Sequence, residues 1–155
     1  MSSIPLSTPL IPTKSLSKEI DGIHTELNIQ SYSDRVLVLI TQLNKVGCFI
    51  QASLPPTAPL LPPLPGRLPE PAVGTVLTPL FGAAPSEHLH DLYSLYASQV
   101  AVLLWTSEGG GGRKPVVVGV ALQRQKEGEE GSGLTDRERK TFEGVMRMVQ
   151  ECFPS

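Results

Sequence analysis

Arg35–Ser53 reads RVLVLITQLNKVGCFIQAS, and the two apolar runs on either side of its polar break decide the fold class. Val36 to Ile40 is apolar at every position and β-branched at three of five, the pattern of a strand covered on both faces. Cys48 to Ala52 reads as the next strand, and Gln42 to Gly47 as a longer turn in which Gly47 can take a left-handed conformation. The stretch is therefore predicted to be a hairpin at the centre of a sheet. It carries almost nothing chemically reactive.

Upstream, Lys14 to Ile20 and Ile23 to Gln30 flank Asp21-Gly22, a two-residue signal for a type I′ hairpin because both central positions need positive φ. Ile23, Thr25, Leu27 and Ile29 share one face of the second strand, and His24, Glu26, Asn28 and Gln30 share the other. Residues 1–13 hold Pro5, Pro9 and Pro12 among serines and threonines and read as a disordered tail before a single domain over 14–153.

Downstream, Leu54 to Ala72 has prolines at eight of nineteen positions. Such density prevents helix and forbids a central strand, so the segment reads as a disordered, polyproline-like loop inserted between strands. Val73 to Leu80 resumes the sheet. Ser86 can cap a helix of about three turns, with Leu89, Leu92, Tyr93 and Tyr96 on its apolar face. Val100 to Trp105 and Val116 to Leu122 are apolar at nearly every position and are predicted to form a second central hairpin across the glycines 109–112. Thr135 and Glu138 make a capping box opening a final helix to about Cys152. Its buried stripe is Phe142, Val145, Met146, Val149 and Cys152, while Arg137, Lys140, Glu143, Arg147 and Gln150 face solvent.

This is an α+β fold: a single antiparallel sheet of about six or seven strands with two helices. At about 4.8 Å per strand the sheet is roughly 30 Å wide, and two helices about 10 Å across cover only one face. The apolar strands leave the other face in need of cover, and the expectation is packing through the sheet into a dimeric, β-sandwich-like assembly. The dimer-face strands carry Val36, Val38 and Ile40, then Val100, Val102 and Leu104, then Val116, Val118 and Val120. A sheet that curls over its own outer strands is the alternative.

Composition narrows the function. The chain of 155 residues has a formal net charge of -2, without the basic field that counterion release onto nucleic acid or attraction to anionic membrane requires. No stretch approaches the roughly 18 apolar residues of a membrane span, and the N-terminal residues lack the basic and apolar regions of an export signal. Cys48 and Cys152 lie far apart without CxxC spacing and read as reduced thiols, which places the protein in the cytosol or nucleus.

Catalytic and metal patterns are weak. His88 and His90, in HLHD with Asp91, sit at i and i+2 of a helix, about 200 degrees apart, and cannot grip one ion. His24 lies on a polar strand face without a ligand partner at useful spacing. Gly109 to Lys114 resembles a phosphate loop only superficially, because Lys114 is followed by Pro115 and a strand where a P-loop needs a helix. Glu127, Glu129 and Glu130 read as a solvated charge run. Neither cofactor nor metal is expected, and an enzyme would need a polar pocket at the strand ends. Pro62, Pro65 and Arg67 match PxxPxR, one orientation of SH3 ligand, a pattern that proline-rich chains also produce by accident.

The order of elements carries a resemblance. The opening hairpin Lys14 to Tyr32, the apolar strand running into Thr41, Gln42, Lys45 and Gly47, the helix followed by VAVLLW and VVVGVAL, and the last helix ending in VQECF resemble the proteasome assembly chaperone 3 family. The resemblance covers about 14–53 and 73–153, with the proline-rich segment and the Gly and Glu loops as insertions. It implies a non-enzymatic chaperone of 20S core assembly. It also implies a dimer with a homologous assembly chaperone of the fourth-chaperone type or with itself, docking transiently on a proteasome α subunit. A longin or roadblock-like trafficking scaffold and an SH3-binding adaptor are the rival readings.

Overall fold

Asp21 and Gly22 both take positive φ, 52° and 78°, as a type I′ turn demands. They join β1 (Thr13–Ile20) to β2 (Ile23–Ser31) in an antiparallel pair running from Thr13↔Gln30 to Ile20↔Ile23. The computed structural model describes residues 11–42, 47–62, 64, 66–107, 112–123 and 134–153. The other strands are β3 (Val36–Thr41), β4 (Cys48–Ser53), β5 (Val76–Phe81) and β6 (Val116–Ala121), with helices α1 (Glu87–Thr106) and α2 (Asp136–Cys152). The glutamate run at 127–130 and the glycines 109–111 lie outside the described residues.

The six strands form one sheet in the order β1-β2-β3-β6-β4-β5. This corrects the hairpin expected at Arg35–Ser53, because β6 lies between β3 and β4. The sheet is mixed where an antiparallel one was expected: β6 runs parallel to β3 and antiparallel to β4. Since β4 is also antiparallel to β5, β5 and β6 point the same way, and a parallel return needs a long crossover. Helix α1 supplies it, packing on β4, β6 and β5.

A second correction follows from that crossover. Val100 to Trp105, read as a strand, is the last part of the 20-residue α1. Val100, Val102 and Leu104 are therefore helix residues, all buried. The helix is apolar all round in this half because it has neighbours all round: the sheet, α2, and the proline-rich segment. A stripe pattern disappears when no face is left to water. Ser86 does cap α1, accepting from Leu89 N–H at 3.2 Å, and Thr135 with Glu138 form the expected capping box on α2. Each such cap contributes about 1 kcal/mol.

Gly47 departs from its expected role as well. It does not adopt positive φ; instead a Cβ there would lie 1.9 Å from the carbonyl oxygen of Val120. Glycine is needed for backbone approach as β4 enters beside β6.

The described part of the proline-rich segment lies against the body. Buried Gln99 donates its amide to Pro69 O at 2.7 Å. Arg113 donates to the carbonyls of Pro55, Pro56 and Ala58 at 3.3, 3.4 and 2.7 Å. Ala58, Leu60 and Ala72 pack against the core. Carbonyls of a segment poor in N–H groups thus find donors from outside it.

Candidate functional site

Both helices pack on one side of the sheet. Under them lie Thr25, Leu27 and Ile29 of β2, Val36, Val38 and Ile40 of β3, Val116, Val118 and Val120 of β6, and Cys48, Ile50 and Ala52 of β4, all buried. The strand residues named from sequence therefore face the helices. Strand alternation places the other set on the uncovered side.

That side carries apolar residues from β3 to β5, interrupted by Gln51 and Ser53 on β4 and Thr78 on β5. Leu37 and Leu39 stand on β3, Val117 on β6, Phe49 on β4, and Val76 and Phe81 on β5. Gly119 sits among them, where a Cβ would be 3.0 Å from Leu39 Cδ2 and 3.2 Å from Phe49 Cζ. Phe49 and Phe81 meet edge to face with centroids 6.4 Å apart. A β-bulge between Phe49 and Ile50 bends this edge. Val76 is 50% and Phe81 72% exposed, large values for aligned apolar side chains and the usual mark of an interface.

Toward β1 the same face turns polar, with Ser15, Ser17, Glu19, His24, Glu26, Asn28 and Gln30. Asn28 donates to Ser15 Oγ at 2.8 Å, and His24 Nε2 lies 3.2 Å from Glu26 Oε1. Neither lysine nor arginine occupies a strand position on this face. Lys14 and Lys18 point the other way, to Cys152 O and Glu151 of α2, and Lys14 Nζ also lies 4.2 Å from the Phe153 ring centre.

A second feature escaped sequence reading. A cleft of about 290 Å³ opens at the carboxyl ends of the parallel pair, beside Gln42, Leu122 and Gln123. There His88 Nε2 lies 2.9 Å from both carboxylate oxygens of Glu138, tying the first turn of α1 to that of α2. Glu138 Oε1 also accepts Thr135 N–H at 2.9 Å. Gln42 donates to Thr25 Oγ1 at 3.0 Å and accepts from Gln123 N–H at 3.0 Å. The hydroxyls of Tyr96 and Thr141 are sealed from solvent and have no hydrogen-bond partner among the described residues. Burial, then the nearby Glu138 charge, push the Tyr96 phenol well above its ordinary value. With its carboxylate committed to His88 and the helix cap, the cleft acts as a clamp between helices. The two partners lie 50 positions apart, and only the packing of two helix N-termini side by side joins them.

The other motifs separate. His90 lines a different depression from His88, and among the described residues three or more metal-ligating side chains do not gather. No described helix is long and apolar enough to cross a membrane. Across Pro62 to Arg67, Arg67 N–H bonds Leu64 O at 3.3 Å and Gly66 takes φ 74°. Pro65, the central residue of the PxxPxR pattern, lies outside the described residues. Burial raises both cysteine thiols above their ordinary value; at Cys152 the nearby Lys14 opposes this in part.

No model of a protein family matches the sequence. The chain is similar to Proteasome assembly chaperone 3 of Nematostella vectensis, at 31% identity over 106 residues that span 67% of this chain and 70% of that protein. At that identity and coverage the chain belongs to the proteasome assembly chaperone 3 family.

Proposed function

We propose that the chain is a non-enzymatic chaperone of 20S proteasome assembly. It works as a dimer formed through the open face of its sheet, and it docks transiently on an α-type subunit while the α-ring forms. In this reading it favours correct ring order and leaves when later contacts overlap its site, acting in the cytosol and nucleus. The observation that carries the dimer is the uncovered face running from Leu37 and Leu39 to Phe81. The relative's name supports the assembly role.

β3 forms the centre of the proposed interface through Leu37 and Leu39, with Val117 of β6 already buried beside them. A partner sheet laid on them would complete a sandwich with a shared apolar layer about 10 Å thick. Among the described strand residues, Glu19 and Glu26 meet no lysine or arginine on their own face, and His24 is the one basic side chain beside them. A homologous chaperone presenting lysine or arginine there suits the face better than a second copy, which brings the same acids.

Affinity capture from native extract, with mass spectrometry of the partners, tests the function. Proteasome α subunits and a homologous chaperone are the expected catch; GTPases or coat proteins in their place would assign a trafficking scaffold. Sedimentation tests the dimer. A strict monomer at micromolar concentration, both alone and with the captured homologue, removes it.

A further inference from the structure

A depression of about 1000 Å³ lies away from the open face, between the proline-rich segment and the C-terminal half of α2. Its floor is Leu103, Val149 and Phe153, and Leu64 and Leu68 form one apolar wall. These two leucines are 62% and 37% exposed. On the rim, Arg67 and Arg147 are both exposed, and neither forms an ion pair with any described residue. Among the described residues, Glu143 is the one acidic residue of the lining. The rim is thus locally cationic on a chain whose net charge is -2.

The wall is built in advance. Gln99 holds Pro69 O, Arg113 holds the carbonyls at the start of the segment, and Arg67 N–H donates to Leu64 O at 3.3 Å. Preformed walls lose little entropy when a ligand enters. The helix ends at the groove are capped locally, by Ser107 Oγ donating to Leu104 O and by Phe153 N–H donating to Val149 O and Gln150 O. Arg67 and Arg147 remain as positive charges of the site without an ion pair to any described residue.

We propose that this groove docks an acidic segment of the client protein. A carboxylate pair meets Arg67 and Arg147, and an aliphatic anchor between them packs on Leu64 and Leu68. The proposal deepens the chaperone reading and rests on it for the identity of the client. It assigns client and dimer partner to different surfaces, so that both can be held at once.

The test uses a fluorescein-labelled, terminally blocked peptide of alternating glutamate and leucine, with a lysine–leucine peptide of equal length as the control. Fluorescence anisotropy with the full chain should show the acidic peptide bound at least about tenfold more tightly than the basic one, with affinity falling as salt rises. The double variant Arg67→Glu/Arg147→Glu should lose at least about tenfold for the acidic peptide while keeping its circular dichroism and its dimer. Absent binding of the acidic peptide, equal binding of the two peptides, or unchanged binding by the double variant overturns the proposal. Because the probe is synthetic, this outcome is separate from the proteasome reading: α subunits that still copurify with the double variant would leave that function standing and remove only the groove.

Discussion

Phe81→Ser separates the dimer surface from the fold. A phenylalanine side chain presents about 150–250 Å², and 72% exposure leaves roughly 100–180 Å² of it in water. At about 25 cal/mol per Å², full burial against a partner is worth roughly 2.5–4.5 kcal/mol as a ceiling. Ordering and imperfect fit reduce that to about 2 kcal/mol, about thirty-fold in Kd. Within one chain the ring's identified ring partner is Phe49, in a single edge-to-face contact, so the substitution should cost the monomer only about 1 kcal/mol. Sedimentation equilibrium, of the chain alone and mixed with its captured homologue, gives the dimer constant, and urea unfolding gives the stability. A dimer constant within about threefold of wild type, with the monomer intact, would refute the open face as the interface.

Gly47→Ala should be severely destabilising, by more than about 3 kcal/mol in urea unfolding, because its Cβ would strike the backbone at Val120, which has no rotamer to yield. Tyr96→Phe should leave stability unchanged or raise it by about 1 kcal/mol, since it removes a sealed hydroxyl without a partner and keeps the ring on Phe142; a loss of that size would mean that the hydroxyl is bonded. Cys48 and Cys152 should alkylate more slowly than free cysteine at pH 8, as raised thiol values lower the thiolate fraction. The sign for stability follows: the native state holds these protons longer, so stability should fall as pH rises above about 9, the thiols' ordinary value.

What the sequence by itself determined is local. The Asp21-Gly22 turn, the period of two along β2, the Ser86 cap and the Thr135–Glu138 capping box each depend on residues within a few positions of one another, and each stands in the structure as read. Only the tertiary structure decided the rest. Val100 to Trp105 is apolar throughout, and a fully covered helix and a fully covered strand look alike over six residues. Once that stretch is helix, the crossover delivers β6 between β3 and β4 and parts the stretch Arg35–Ser53 by one strand. The same packing sends Val36, Val38 and Ile40 beneath the helices and leaves Leu37 and Leu39 on the open side. Alternation fixes that two faces differ; which of them meets water depends on where residues far along the chain come to rest.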